Sequence, residues 1–193
     1  MNSRDLILNS IRKNQPISAV SLPEIPVFNQ NTENLISQFQ TQLKRMGGQS
    51  FQISNPEDIQ AKIYELYPST KIICSTLSEL SGNKPIQPDT QPQELANVDI
   101  GIVRGEFGVA ENGAVWLTQN NLVVNALGFL SQHLVVLLDS NQLVCDMHQA
   151  YERIQLVDTS YGVFMAGPSA TGDVEAVIIQ GAQGVRSLTV FLM

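Results

Sequence analysis

Apolar residues recur along this chain with two different periods. Between Asn31 and Gly48, the residues Leu35, Ile36, Phe39, Leu43 and Met46 fall three or four apart, the stripe of a helix lying on a core. Asn31 or Thr32 is placed to cap its start, Lys44 and Arg45 occupy the last turn, and Gly47-Gly48 ends it. A second helix opens at Pro56, with Ser54 or Asn55 as cap and Glu57 and Asp58 in its first turn. A shorter stripe, Leu6, Ile7 and Ile11, marks residues 3–14 as a helix capped by Asn2 or Ser3. Against these stand runs that stay apolar on both sides: residues 71–75 (KIICS), 98–104 (VDIGIVR), 133–139 (HLVVLLD), 161–167 (YGVFMAG) and 187–193 (SLTVFLM), with a shorter FQIS at 51–54. Strands of that kind are covered on both faces, so the pattern predicts a mostly parallel sheet between layers of helix. Residues 142–154 (QLVCDMHQAYERI) and 173–180 read as two further helices, and Asn112-Gly113 as the turn of a hairpin that adds an antiparallel piece.

The prolines Pro16, Pro23 and Pro26 turn the segment after the first helix into an extended arm. The chain thus divides into residues 1–30, helix and arm, and one α/β domain over 31–193. Residues 82–97 form a polar surface loop, with a helical turn at Pro92.

Composition narrows the function. The formal net charge is −7 over 193 residues, and cations never cluster beyond pairs such as Arg12-Lys13. A phosphate-tracking surface needs clustered cations, so nucleic acid is not an expected partner. The longest purely apolar run, Leu134–Leu138, is far too short to span a bilayer, and the N-terminus lacks the apolar core of a secretory signal. The expectation is a soluble, cytoplasmic protein with no membrane partner. Two cysteines, Cys74 and Cys145, read as buried reduced thiols. Cys145 and His148 have helical spacing but no second pair of ligands, and an iron–sulfur cluster needs more thiolates than this. No metal or cofactor is expected in this chain.

Two loops carry candidate chemistry. GPSATGD, residues 167–173, follows an apolar strand and precedes the helix expected from Asp173. Ligands bind outside the carboxyl ends of parallel strands, and a helix N-terminus offers free N–H groups to an anion. Gly167, Ser169, Thr171 and Asp173 would then line an anion site, although plain helix capping by Ser169 or Thr171 explains the same residues. GAQG at 181–184 reads as the glycine stop of that helix. The other loop, around Asn112-Gly113, holds Glu106 and Glu111, carboxylates able to act as nucleophile or general base. His133, at a strand start, is placed to orient a carboxylate. No nucleophile elbow, phosphate loop or zinc-protease motif occurs, and GAQGVR precedes a strand rather than opening a helix.

Taken in order, these blocks resemble the lactate-utilisation (LUD) domain family, in its LutC/YkgG subgroup. The family's A-E-T-G-[TS] turn is matched at Ala110, Glu111 and Gly113, with Asn112 and Ala114 replacing the hydroxyl residues. Its G-P-S-x-T-A-D-I-E block is matched at Gly167, Pro168, Ser169, Thr171, Asp173 and Glu175, and its later G-x-H-G-P becomes Gly181-Ala182-Gln183-Gly184-Val185. Gln183 thus stands where the family has histidine. The resemblance implies a three-layer α/β/α sandwich like that of the NagB/RpiA/CoA-transferase superfamily. It also implies a part in oxidising L-lactate to pyruvate within a three-protein system whose iron–sulfur clusters sit in the partner proteins. The candidate set is Glu111, Glu106 and His133 for catalysis, and Gly113, Gly167, Ser169, Thr171, Asp173 and Gln183 for a small anionic ligand. Ala110–Gly113 is also similar to the S-E-N-G signature around the nucleophilic glutamate of CoA-transferases. Acyl transfer through Glu111, a non-catalytic scaffold and a homo-oligomer stay open beside the lactate reading, as does whether this chain is itself an enzyme.

Overall fold

A computed structural model of the chain describes residues 2–15, 26, 33–154, 161–174 and 177–193, and of 173 and 174 the backbone alone. The Asn31 or Thr32 cap and almost all of the proline arm lie outside these residues. In chain order the elements are α1 (Ser3–Asn14), α2 (Leu35–Arg45), β1 (Gln49–Gln52), α3 (Pro56–Leu66), β2 (Ile73–Ser75), β3 (Ile100–Arg104), β4 (Phe107–Val109) and β5 (Ala114–Thr118). They continue with the one-turn helices α4 (Gln119–Leu122) and α5 (Leu127–Leu130), then β6 (His133–Leu138), β7 (Leu143–Val144), α6 (Met147–Arg153), β8 (Gly162–Met165), β9 (Ala170–Val174), β10 (Val177–Gln180) and β11 (Ser187–Leu192). The turn expected at Pro92 is a 3-10 helix, Pro92–Asn97.

The central sheet has the order β1-β11-β6-β3-β2 and is parallel throughout. Side chains alternate across it with period two. Leu134, Val136 and Leu138 of β6, with Leu188, Val190 and Leu192 of β11, face a core shared with Phe39 and Leu43 of α2, Leu122 and Leu127. The intervening Val135, Leu137 and Phe191 face Ile59 and Ile63 of α3. Helices on both faces of a mostly parallel sheet give the expected α/β/α sandwich.

A second sheet, order β7-β4-β5-β8, packs on the α2 side. The chain passes from one sheet to the other within two residues: the Gly105 amide donates to Leu137 O (2.9 Å), and the Glu106 amide to Trp116 O (3.1 Å). The outer face of the second sheet buries Phe107, Trp116 and Val144 against Ala150 of α6.

Four expectations are corrected. Residues 161–167 do form a strand, but β8 pairs antiparallel with β5 in the second sheet. The described residues of 173–180 are extended rather than helical, and β9 and β10 pair antiparallel. GAQG therefore ends no helix. Residues 142–154 split into β7 and α6, so Cys145 precedes the helix and has no helical spacing to His148. Met46, placed on the buried stripe of α2, is 52% exposed.

Candidate functional site

The two sequence blocks meet on the last turn of α2. Gly113 has φ +69°, and a Cβ there would lie 2.2 Å from Leu43 N. Gly167 has φ +88°, and a Cβ there would lie 2.2 Å from Met46 O. Left-handed backbone and direct contact with a helix together require glycine at both places. The register Val115↔Met165 sets the start of β5 beside the end of β8, so the Asn112-Gly113 turn and the Gly167–Ser169 loop share one end of the second sheet.

Ser169 joins this end to the later glycines. Its amide donates to Val185 O (2.9 Å), its carbonyl accepts from the Gly181 amide (2.7 Å), and Gly184 packs on its side chain. The Arg186 amide donates to Gln132 O (2.7 Å), tying the same loops to the residues that enter β6 and β11. The loop cluster thus stands at the amino edge of the parallel sheet. The carboxyl-edge position expected from sequence fails because β8 is not a strand of that sheet. The helix N-terminus expected at Asp173 fails too, because Asp173 lies within β9. Thr171 is half-buried on the same strand, and Gln183 is exposed in the loop between β10 and β11.

The proposed catalytic residues do not converge. Glu111 is exposed beside the turn, and its Oε2 accepts from the Met147 amide (3.0 Å) at the start of α6. Glu106 lies at the opposite end of β4 and accepts from Thr118 Oγ1 (2.9 Å). His133 lies at the start of β6, where its ring stacks on Tyr67 with centroids 4.3 Å apart.

His133 belongs to a hydrogen-bonded chain that motif reasoning missed. Gln49 Nε2 donates to Thr189 Oγ1 (2.8 Å), Thr189 meets Tyr67 OH (2.7 Å), Tyr67 OH meets Ser187 Oγ (2.9 Å), and Ser187 meets His133 Nδ1 (2.8 Å). Thr189 is fully buried and needs an acceptor for its own proton. Donation in the order Thr189→Tyr67→Ser187→His133, with Nδ1 accepting, gives every hydroxyl of the chain a partner for its proton. Burial lowers the His133 pKa, the Arg186 charge lowers it further, and Asp99 opposes both. The sequence did carry one signal for this network: two hydroxyls two residues apart, on one face of an otherwise apolar strand.

Fold and loop cluster together define an α/β sandwich whose glycine-built loops gather at one sheet edge. A family model for the LUD domain matches residues 36–193, and the chain belongs to the LUD domain family. That family is associated with lactate utilisation. An uncharacterized protein of Neisseria meningitidis serogroup B is 28% identical over 106 residues, which cover 53% of this chain and 46% of the relative. The chain thus aligns with somewhat under half of that protein's length. The crystal structure of a DUF162 family protein from Deinococcus radiodurans superposes with a TM-score of 0.62 at 13% identity, over 82% of this chain and 95% of the other, a likeness of fold. Among the described residues no helix is long and apolar enough to cross a membrane.

Proposed function

We propose that this chain is a component of an L-lactate utilisation system that oxidises L-lactate to pyruvate together with iron–sulfur partner proteins, and that its glycine loops bind a small anionic ligand. The observation that carries the reading is the convergence of the family's blocks: Gly113 and Gly167 on one turn of α2, and Ser169 on Gly184. Glycine at those contacts lets the two loops pack directly on α2, which holds them together at one end of the second sheet, where the reading places a small anionic ligand. Lactate oxidation releases two electrons. The two thiols of this chain are buried and their pKa values are pushed up by burial, so the reading sends those electrons to clusters in partner proteins. Acyl transfer has less support. Glu111 is exposed, and its Oε2 accepts from the Met147 amide in a supporting contact at the start of α6.

Reconstitution tests the reading. The purified chain is mixed with the cysteine-rich, cluster-binding proteins encoded beside its gene, and lactate-dependent reduction of an artificial electron acceptor is followed. The expected result is no turnover by the chain alone and turnover by the mixture that falls when the chain is omitted. Turnover by the chain alone, or full turnover without it, overturns the proposal. A trapped acyl adduct on Glu111 after incubation with acyl-CoA would favour the CoA-transferase alternative.

A further inference from the structure

Two elements stand outside the cores described above. No residue of α1 is buried, and its stripe is 56% exposed at Leu6, 60% at Ile7 and 54% at Ile11. In the β9–β10 hairpin, Val177 is 58%, Ile178 73% and Ile179 40% exposed. Each element is marginal by itself: a short lone helix has little stability in water, and so has an unsupported two-stranded hairpin.

We propose that α1 of one copy seats Ile7 and Ile11 on Val177 and Ile179 of a second copy, and that the reciprocal contact closes a homodimer by exchange of arms. The spacings agree. Ile7 and Ile11 are one helical turn apart, about 6 Å. Along β10 Val177 and Ile179 alternate with Ile178 and stand about 6.7 Å apart, with a register irregularity of the ladder between them. The charges agree as well. The helix carries Arg4, Arg12 and Lys13 against Asp5, whereas segment 170–180 carries Asp173 and Glu175 and no cation. In a chain of net charge −7 two bodies repel, and a cationic element of one meeting an acidic element of the other, as α1 would, offsets part of that repulsion. The segment between Gln15 and Glu33 can extend about 60 Å, ample for reaching a neighbouring body. A two-fold arrangement makes the contact twice with one pair of surfaces. The hairpin rises from Ser169, so the seated helix would lie beside the glycine loops. The proposal does not depend on the lactate reading.

Sedimentation velocity of the full chain over a concentration series tests it. The expected result is a dimer whose dissociation constant rises at least tenfold in Ile7→Asp and in Val177→Asp, and rises with added salt, while Ile178→Asp leaves it unchanged. All three side chains are exposed, and circular dichroism checks that each variant folds. An equimolar mixture of Ile7→Asp and Val177→Asp retains one intact contact and should dimerise more tightly than each variant alone. A monomeric wild type, indifference to Ile7→Asp and Val177→Asp, or equal damage from Ile178→Asp overturns the proposal. So does a monomer in which Ile7→Asp removes amide protection from β10, because the arm then folds back on its own hairpin.

Discussion

The five-stranded and four-stranded sheets are built from similar apolar strands and differ in what fixes their neighbours. In the parallel sheet every inner strand is covered by core on both faces, and period-two alternation divides its side chains between α2 and α3. In the second sheet, position is set by glycine contacts with α2, by the two-residue passage at Gly105-Glu106 and by the two-residue strand β7. The first kind of order rests on summed burial, the second on a few obligatory close approaches. Burial degrades in proportion to the atoms removed, whereas a close approach fails at once when an atom is added.

The largest expected effect comes from the parallel sheet. Phe191 is fully buried on the α3 face and stacks with Phe51 at 5.8 Å. Phe191→Ala should cost about 3–5 kcal/mol in chemical denaturation. The next two variants add an atom instead. Gly113→Ala or Gly167→Ala meets α2 backbone at 2.2 Å with φ positive. Left-handed strain of about 1–2 kcal/mol and overpacking of about 1–3 kcal/mol should combine to a loss of about 2–5 kcal/mol for one methyl group. A loss below about 0.5 kcal/mol, the range of ordinary surface changes, would show that α2 yields easily and would dissolve the contrast between the sheets.

The same contrast explains what could be read from sequence. The central strands, α2 and α3 were legible because burial imprints a period on the residues that carry it, whereas α1 shows the same apolar spacing with none of its residues buried. The segment 173–180 was misread because Val174, Val177 and Ile178 also satisfy a helical spacing, and nothing local says that Val177 pairs with Val174. The strand at 161–167 was found, but its sheet was not, since periodicity reports faces and never neighbours. The Asn112-Gly113 turn was legible because its backbone demands a particular residue. The convergence of that turn with Gly167 was visible only through family resemblance, because the helix holding them together lies far away in sequence. The chain from Gln49 to His133 joins four separate elements, and sequence offered only the Ser187 and Thr189 spacing as a trace of it.

Smaller effects sharpen the picture at the amino edge. Tyr67→Phe removes the acceptor for the Thr189 proton and leaves a buried donor unpaired, which should cost about 1–3 kcal/mol. If the cost is negligible, Thr189 has another acceptor and the direction assigned to the network is wrong. The charge on His133 is a finer probe. Its folded pKa lies below the ordinary value of 6.5, so the unfolded chain binds the proton more readily. Stability should therefore be fully present above pH 6.5 and fall as the pH drops from there toward the folded value. Asp99 has a folded pKa below 3.8, held down by the Ile72 and Lys71 amides, and loses its contribution only at more acidic pH. Urea midpoints measured between pH 5 and 7 (roughly the span around the ordinary His value) should slope upward in wild type and flatten in His133→Asn. An unchanged slope in the variant would assign the effect elsewhere.

The smallest expected change falls on the residue with the most chemistry at stake. Glu111 is exposed and accepts one backbone hydrogen bond, at the start of the seven-residue helix α6. Glu111→Gln keeps an oxygen that can accept from Met147 and removes only the charge. An exposed charge beside a helix start contributes about 0.3–1 kcal/mol, screened by salt. A loss in that range, shrinking as salt is added, would mark the carboxylate as a support for α6. If reconstituted lactate oxidation then survives, Glu111 belongs to the scaffold of the second sheet. Should oxidation collapse while stability barely moves, the charge itself acts on what the glycine loops bind. Gly113 and Gly167 would then be close approaches kept for a ligand as well as for a helix.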